Sequence, residues 1–269
     1  MINIAISGAA GRMGKALIQA ITNIQDLRLT VALERLGCNA LGVDSGEFAG
    51  VGSNGIVIES NLAAALNRFE VLIDFSTPNA TLANAELCGS AHKRIVIGTT
   101  GIDQIGKTQL ANIAGQIPIV MAPNMSIGVN LCFKLLDIAA TVLGNTTDVE
   151  IFEAHHRYKV DAPSGTALHM GEVIANAWRQ DLQSIAVYAR NEHTGQRTPG
   201  TIGFATMRAG DIAGEHAAWF VSEGERVEIV HKATNRANFA QGALRAARWV
   251  MQQSPGLYDM QDVLGLRSL

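Results

Sequence analysis

The stretch that decides the fold is Ile2-Asn3-Ile4-Ala5-Ile6-Ser7-Gly8-Ala9-Ala10-Gly11-Arg12-Met13-Gly14, at the start of the chain. Its first six residues have the apolar, β-branched character of a buried strand. From Arg12 onwards apolar side chains recur every three to four residues, as in an amphipathic helix. The glycines between them let the backbone turn sharply and approach a pyrophosphate, which the first amides of the helix can bind. The glycine spacing is GxxGxxG rather than GxGxxG, so the prediction of a nucleotide site depends on residues further along the chain.

The next hundred residues alternate short β-rich runs with helical runs, which is typical of right-handed βαβ crossovers and a parallel sheet. Strands are predicted at 27–33, 55–58, 71–75, 94–97 and 117–121, and helices at 12–24, 63–68, 79–91 and 103–114. The sequence therefore predicts an α/β fold with a Rossmann-type dinucleotide-binding domain over residues 1–126.

The pattern changes after residue 126. A helix at 128–141 and a strand at 148–154 lead to a helix at 164–179, and closely spaced strands follow at 184–188, 201–206, 215–222 and 226–232. Strands joined by short turns favour antiparallel pairing. We expect a smaller α+β domain for substrate binding and oligomerisation over residues 127–236, with residues 237–269 packing back on the first domain. Alternating apolar residues in the late strands, with Trp219 and Phe220 adjacent, indicate self-association through one sheet face.

The second predicted strand ends at Glu34-Arg35, twenty residues after Gly14. An acidic side chain there accepts hydrogen bonds from the adenosine ribose hydroxyls, and an arginine beside it can pair with a 2′-phosphate. The pair predicts that both NADH and NADPH are accepted; a solvated surface pair is the alternative. Small polar segments also follow two later strands. Because ligands bind at the carboxyl ends of strands in open α/β sheets, Gly98-Thr99-Thr100-Gly101 and Ala122-Pro123-Asn124-Met125-Ser126 are expected to line the nicotinamide pocket.

The most informative segment is Glu153-Ala154-His155-His156-Arg157-Tyr158-Lys159-Val160-Asp161-Ala162-Pro163-Ser164-Gly165-Thr166-Ala167. It places two histidines and a lysine between a strand and the first turn of a helix. Histidine is the natural proton donor near neutral pH, and a helix N-terminus binds anions. Neighbouring strand residues point to opposite faces, so the two histidines would not act as a metal pair. No HExxH motif is present, and no metal is expected.

This segment resembles the signature of the dihydrodipicolinate reductase (4-hydroxy-tetrahydrodipicolinate reductase) family of the diaminopimelate and lysine pathway. The likeness extends to the glycine-rich start, to the two polar strand ends and to the run TPGTIGFATMRAGDIAGEH at 198–216. It implies reduction of a cyclic dicarboxylate by NADPH or NADH, loss of water from a hydroxylated precursor, and a homotetramer. It also implies catalytic roles for His155 as proton donor and Lys159 as assisting cation.

The resemblance further assigns binding residues. Those for the substrate carboxylates are His156, Gly165, Thr166 and Arg236. Those for the dinucleotide are Gly8, Ala9, Ala10, Gly11, Arg12, Met13, Glu34, Arg35, Gly98, Thr99, Thr100, Ala122, Pro123, Asn124 and Met125. Position 125 is often aromatic in that family, and Met125 is expected to keep an apolar wall against the nicotinamide. Tyr158 receives no role.

Composition excludes other classes. The 269 residues carry a net charge of −3 with no basic stripe, so no nucleic-acid partner is expected. No signal peptide and no apolar run near the length of a membrane helix are apparent, and three dispersed cysteines indicate free thiols, so a cytoplasmic protein without a membrane partner is expected. Two functional alternatives stay open: another two-domain dehydrogenase, and a non-enzymatic NAD(P) sensor.

Overall fold

The computed structural model describes residues 1–269, and its contacts divide the chain into two compact units. The first unit comprises Met1–Ile127 and Arg236–Leu269, and the second comprises Gly128–Asn235. Ile127 and Arg236, which the sequence analysis placed in the second domain, therefore group with the first unit.

The chain forms twelve strands and ten α-helices. The strands are β1 (Ile2–Ser7), β2 (Leu27–Leu33), β3 (Ile58–Glu59), β4 (Val71–Asp74), β5 (Arg94–Ile97), β6 (Pro118–Met121), β7 (Asp148–His155), β8 (Ala186–Val187), β9 (Ile202–Arg208), β10 (Gly214–Ser222), β11 (Glu225–Ala233) and β12 (Gly256–Tyr258). The helices are α1 (Arg12–Thr22), α2 (Ser45–Ala49), α3 (Leu62–Ala65), α4 (Pro78–Ser90), α5 (Gln104–Ile113), α6 (Ile127–Leu143), α7 (Gly165–Ala177), α8 (Leu182–Ile185), α9 (Ala237–Val250) and α10 (Met260–Leu264).

The first unit is built on a seven-stranded sheet in the order β12-β6-β5-β4-β1-β2-β3, in which every pair is parallel. Leaving out β12, this is the strand order of a doubly wound dinucleotide-binding fold, with the order reversing between β1 and β4. The central strands are buried on both faces, as their near-continuous apolar sequences require. The predicted Rossmann-type sheet is confirmed.

The second unit contains a five-stranded sheet in the order β11-β10-β7-β9-β8. The prediction of antiparallel strands is only partly right: β10 is antiparallel to β7 and β11, but β9 is parallel to β7 and to β8. The connection explains the difference, because α7 lies between β7 and β9, and a helical crossover returns the chain in the same direction. β10 and β11 are joined by a tight turn and form a hairpin.

Side-chain caps account for several differences from the predicted elements. The strand expected at 184–188 begins instead as α8, because the Asp181 side chain accepts a hydrogen bond from the amide of Gln183 at 3.1 Å, and only β8 is extended. The short α2 and α10 were not predicted. Asp44 caps the first and Asp259 forms a capping box with Asp262 in the second.

The expectation that no apolar run approaches the length of a membrane helix was wrong for the region of α6. Ile127–Thr146 is long and apolar enough to cross a membrane by length and composition alone. One face of α6, including Phe133 and Leu136, is buried in the core of the second unit. Four side chains of the opposite face are exposed, at a spacing of three to four residues: Leu131, Leu135, Ile138 and Val142.

Candidate active site

The glycine-rich turn between β1 and α1 has no space for larger side chains at two of its glycines. Gly8 has φ +81°, and a Cβ there would lie 2.4 Å from the Phe75 carbonyl oxygen at the end of β4. A Cβ on Gly14 would lie 2.2 Å from the Gly8 carbonyl oxygen. The first glycine thus permits the left-handed turn, and the second allows α1 to pack directly on the turn.

The amides of this turn fall into two groups. Those of Gly8 and Ala9 donate to the Leu33 carbonyl at 3.0 and 2.9 Å, and that of Gly11 donates to the Gly8 carbonyl at 2.9 Å. The Ala10 amide donates to the Glu34 carboxylate at 3.0 Å. The three amides of the first turn of α1, on Arg12, Met13 and Gly14, have no acceptor in the chain. These three N–H groups, at the positive end of the helix dipole, are the ones available to a phosphate.

Glu34 and Arg35 line a cleft of about 460 Å³ together with Gly8 and Gly11. The Glu34 carboxylate supports the glycine-rich turn through Ala10 and also accepts from the Arg35 amide at 3.0 Å. Carboxylate oxygens have further lone pairs, so these contacts leave capacity for ribose hydroxyls.

The sequence analysis missed the third wall of this cleft, which Phe75, Ser76 and Thr77 form just after β4. β4 lies beside β1 at the point where the strand order reverses, so its end opens into the same crevice as Gly8. The sequence contains a signal for this wall, because polar residues follow the predicted strand at 71–75 just as they follow the predicted strands at 94–97 and 117–121.

A buried carboxylate holds this third wall in place. Asp74 is fully buried, and its Oδ1 accepts from the Ser76 amide at 3.0 Å, from Thr81 Oγ1 at 3.0 Å and from Thr99 Oγ1 at 3.1 Å. Its Oδ2 accepts from Asn84 Nδ2 at 2.8 Å. Thr99, predicted to contact the cofactor, is therefore buried and tied to β4, while Thr100 is exposed.

The segment Ala122–Met125 does not line the cleft. Met125 is 1% exposed and packs in the core beside α9, where a Cβ on Gly242 would lie 1.7 Å from the Met125 carbonyl oxygen. Pro123 is exposed, and the Asn124 side chain accepts from the Ser126 amide at 2.9 Å.

Arg236 occupies the position before α9 in the first unit, near Arg12, and its side chain makes no capping hydrogen bond. Burial and the neighbouring positive charge of Arg12 lower the pKa of Arg236. Neither arginine forms an ion pair with an acidic side chain of the chain. Two uncompensated guanidinium groups near two helix N-termini favour binding of an anion.

In the second unit, His155 is the last residue of β7, and its ring is held by a carboxylate. His155 Nδ1 lies 2.6 Å from Glu153 Oε2, two residues earlier on the same face of the strand. The side chain of Glu153 is 1% exposed. His155 Nε2 has no partner in the chain and lies beside Gly214, where a Cβ would be 3.2 Å away. The glycine keeps space open at the nitrogen that can exchange a proton.

Glu153 has two further partners. Arg208 donates to both of its oxygens, at 2.8 and 2.7 Å, and the Ser164 amide donates to Oε1 at 3.0 Å. Burial alone would raise the pKa of Glu153, but the hydrogen bonds from His155 and Arg208 outweigh it and lower that pKa to about 2. The carboxylate is therefore ionised at neutral pH.

Lys159 and the start of α7 follow in the same segment. Lys159 Nζ pairs with the Asp161 carboxylate at 2.8 Å, and its side chain is 22% exposed. Although burial opposes the change, the hydrogen bond from Lys159 lowers the pKa of Asp161. Ser164 caps α7 by accepting from the Ala167 amide at 3.2 Å, and Gly165 is exposed at the first helical position. The ring of His156 lies near that of Tyr158, with centroids 6.3 Å apart.

A third histidine lies next to His155 and was not singled out by sequence. The rings of His216 and His155 meet edge to face with centroids 5.1 Å apart, and His216 Nε2 is 3.1 Å from Ser164 Oγ. Burial, with a smaller contribution from His155, lowers the pKa of His216 to about 3, so it is neutral. The second unit thus combines a carboxylate-oriented histidine with a lysine and a helix N-terminus, which suits proton transfer to a bound anion.

Comparisons with known proteins cover nearly the whole chain. A family model described as "Dihydrodipicolinate reductase, N-terminus" matches residues 2–125, and one described as "Dihydrodipicolinate reductase, C-terminus" matches residues 128–264. A protein of Saccharophagus degradans named 4-hydroxy-tetrahydrodipicolinate reductase is 54% identical over 264 residues, which cover 98% of each chain. A solved dihydrodipicolinate reductase from Paenisporosarcina sp. TG-14, bound to dipicolinate, is similar with a TM-score of 0.78 and 25% identity, covering 97% of this chain and 98% of that one. A probable dehydrogenase from Thermotoga maritima shares the fold alone, with a TM-score of 0.63 and 10% identity, covering 98% of this chain and 93% of that one.

Proposed function

Since this chain belongs to the dihydrodipicolinate reductase family, we propose that it reduces 4-hydroxy-tetrahydrodipicolinate to tetrahydrodipicolinate with NADPH or NADH, in diaminopimelate and lysine biosynthesis. The observation that carries the proposal is the cluster in the second unit. There His155 has its Nδ1 on a buried carboxylate and its Nε2 free, in one segment with Lys159 and the start of α7. A nucleotide sensor would not need this arrangement.

The first unit fits a dinucleotide. Three helix amides without acceptors, a cleft at the switch point of the sheet and glycines with no room for a Cβ match the requirements of a bound pyrophosphate. Arg12, Met13 and Gly14 would hold the phosphates, and Glu34 the adenosine ribose. Arg35 beside the cleft would pair with the 2′-phosphate of NADPH. A bound nicotinamide supplies the hydride.

The second unit would bind the substrate by its carboxylates. In this proposal Lys159 and His156 pair with one or both carboxylates, and the amides of Gly165 and Thr166 at the start of α7 stabilise them through the helix dipole. Arg236 is a further carboxylate ligand in the proposal, and the proximity of Arg12 favours an anion beside it. The Paenisporosarcina relative was solved with dipicolinate, a planar cyclic dicarboxylate, which supports this substrate class.

Charge develops on the substrate when a hydride adds to its conjugated ring, and a proton must neutralise it. Protonated His155 would donate the Nε2 proton, and Glu153 stabilises the imidazolium before transfer. Such general acid catalysis typically contributes ~10²–10⁴-fold. Fixed orientation of the ring by its carboxylates would supply much of the remaining acceleration.

The finer assignments are a cytoplasmic location and a homotetramer. The outer face of the second sheet supports self-association, since Phe152 stacks on Trp219 with centroids 6.1 Å apart, and Phe152, Met207 and Val230 are exposed. Phe220, which the sequence analysis grouped with Trp219, points the other way and is 1% exposed. Light scattering of the intact protein and of Trp219→Lys tests this assembly: tetramers that dissociate in the variant support it, and a monomeric wild-type protein excludes it.

A coupled assay tests the activity. The condensation product of pyruvate and aspartate semialdehyde, made by the preceding synthase, is mixed with this protein and NADPH, then with NADH, and the loss of absorbance at 340 nm is followed. We expect substrate-dependent oxidation of both cofactors. Cofactor binding without turnover would favour the sensor, and turnover only with other substrates would favour another dehydrogenase.

A further inference from the structure

We propose that Glu153 is a positioning residue that fixes the tautomer of His155 and, through the same carboxylate, the start of α7. The role of His155 as the proton donor rests on the proposed function; the geometry around Glu153 and its test by chemical modification do not. Neither the family comparison nor the sequence pattern assigns Glu153 a role.

Five donors converge on this one carboxylate. Oε1 accepts from the Ser164 amide at 3.0 Å, from Arg208 Nη2 at 2.7 Å and from Thr206 Oγ1 at 3.3 Å. Oε2 accepts from Arg208 Nη1 at 2.8 Å and from His155 Nδ1 at 2.6 Å. An ionised carboxylate can only accept hydrogen bonds, so every partner must donate. Nδ1 of His155 must therefore carry a hydrogen.

This requirement selects one tautomer of the neutral ring. With the hydrogen on Nδ1, the lone pair of the neutral ring lies on Nε2, which has no partner and lies beside the unsubstituted Cα of Gly214. When the protonated ring donates, the Nε2–H bond breaks, its electron pair stays on Nε2, and the hydrogen on Nδ1 keeps its hydrogen bond to the carboxylate. Glu153 thus stabilises both the charged donor and the neutral product of the transfer.

The same carboxylate connects the donor to the anion site. Ser164 donates its amide to Glu153 and caps α7 with its hydroxyl, which accepts from the Ala167 amide at 3.2 Å. Arg208, in turn, donates to the Asp161 carbonyl at 2.6 Å, which anchors the loop between β7 and α7. One buried charge therefore sets the distance between the proton donor and the helix N-terminus that would hold a substrate carboxylate.

Glu153→Gln reverses the tautomer. Three donors face Oε1 and two face Oε2, so the amide oxygen of Gln takes the Oε1 side and its NH₂ group replaces Oε2. Arg208 Nη1 then loses its acceptor, while Arg208 Nη2 keeps the oxygen at the Oε1 position. The NH₂ group then donates to His155 Nδ1, which must give up its hydrogen, and the hydrogen moves to Nε2. Charge-assisted hydrogen bonds are about twice as strong as neutral ones, so the preference should change by about ten-fold or more.

Modification by diethyl pyrocarbonate detects this change without any enzymatic turnover, because the reagent reacts only with a ring nitrogen that bears a lone pair. Nε2 of His155 bears the lone pair in the wild-type protein and a hydrogen in Glu153→Gln. At about pH 8, the rate of modification of His155 is measured by peptide mass spectrometry, with exposed His193 as the reference within each sample. We expect Glu153→Gln to slow the modification of His155 about ten-fold or more relative to His193. A purely structural role predicts the opposite, since loosened packing exposes the ring and speeds modification. An unchanged or faster rate overturns the proposal.

Thr206→Val is the matched control. It removes the longest contact of the carboxylate and keeps those of His155 and Arg208, so the wild-type modification rate is expected. If Glu153→Gln does not fold, ¹⁵N NMR of the wild-type protein with labelled histidine decides: protonated Nδ1 in the neutral ring of His155 supports the proposal, and protonated Nε2 overturns it.

The activity measurement separates this proposal from the proposed function. If the protein is a reductase, Glu153→Gln should lower kcat about 10²–10⁴-fold with little change in cofactor affinity, as expected when a histidine is held in the wrong tautomer. If the wild-type protein has no reductase activity but modification of His155 slows in Glu153→Gln, the proposed function fails while the role of Glu153 stands.

Discussion

The third glycine of the turn offers a test of how the first unit binds phosphate. Gly14→Ala would bring a Cβ to 2.2 Å from the Gly8 carbonyl oxygen, whereas ordinary contacts begin at 3.4 Å. The start of α1 must therefore move away from the turn by roughly 1 Å. Overpacking of this kind typically costs about 1–3 kcal/mol of stability. The same movement carries the unpartnered amides of Arg12 and Met13 out of hydrogen-bond range of a bound phosphate.

Each hydrogen bond to a charged group contributes about 1.5–3 kcal/mol, so loss of one weakens cofactor binding by about 10- to 10²-fold and loss of two by up to about 10⁴-fold. Titration calorimetry with NADPH and NADH measures this loss, and urea unfolding measures stability. Gly37→Ala is the control for general destabilisation, since Gly37 has a positive φ, +81°, which Gly14 does not have, and nothing lies within 4 Å of its Cβ position. It should cost about 1–2 kcal/mol of stability and leave cofactor binding unchanged.

The reasoning is refuted if Gly14→Ala binds NADPH within twofold of the wild-type protein. It is also refuted if Gly14→Ala and Gly37→Ala weaken binding equally, because a general loss of stability would then explain both. Modification of His155 by diethyl pyrocarbonate should stay at the wild-type rate in both variants, which shows that the second unit is intact.

Four further predictions concern single side chains. His155→Gln should lower kcat about 10²-fold or more with unchanged cofactor affinity, whereas His193→Gln should not; an unaffected kcat removes His155 as the proton donor. Arg35→Ala should raise the dissociation constant of NADPH more than that of NADH, and equal losses would contradict its pairing with a 2′-phosphate. Gly214→Ala should displace the His155 ring by a few tenths of an ångström and lower kcat about 10-fold or more, which steady-state kinetics checks against an unchanged cofactor dissociation constant. Because the pKa of His216 falls to about 3 in the folded protein, below its ordinary value near 6.5, its neutral form stabilises the fold above pH 6.5 and this contribution is lost as the pH falls. The free energy of unfolding should decline by up to about 1.4 kcal/mol per pH unit between about pH 6.5 and about pH 3, and His216→Gln should flatten the decline.

The fold of the first unit was predictable because its signals are local. Apolar strands alternate with helices, and that alternation alone implies parallel strands and crossovers. The second unit was less predictable, since the direction of β9 depends on whether the chain returns through α7 or through a turn. At 184–188 a helix begins where the residue types favour a strand, because the Asp181 side chain accepts a hydrogen bond from the Gln183 amide. Local propensity does not contain such a contact.

For the candidate site, the residues that could be predicted are those whose chemistry is recognisable without knowing their neighbours. A glycine-rich turn, an acidic strand end and a His-His-x-x-Lys segment are of this kind. Glu153 and Asp74 could not be predicted in this way, because their partners are distant in the sequence. Glu153 pairs with Arg208, 55 residues away, and Asp74 with Thr99, 25 residues away, while both acids lie in ordinary strand ends.

A shared role of three carboxylates at strand ends explains why some site residues were predictable and others were not. The three are Glu34, Asp74 and Glu153. Each accepts a backbone amide of a loop at the carboxyl edge of its sheet, from Ala10, Ser76 and Ser164 respectively. In a loop that leaves some amides open for a ligand, the other amides cannot all donate to backbone carbonyls of the turn. A buried or half-buried carboxylate accepts a hydrogen bond from one of these remaining amides. These acids act on the backbone, and of the three only Glu34 also lines the cleft of the first unit. On this reasoning, replacing Asp74 by Asn should weaken cofactor binding without any direct contact to the cofactor. The effect should act through Ser76 and Thr99, and it should be smaller in a background in which Thr99 is already Val, because the two changes share one of these contacts.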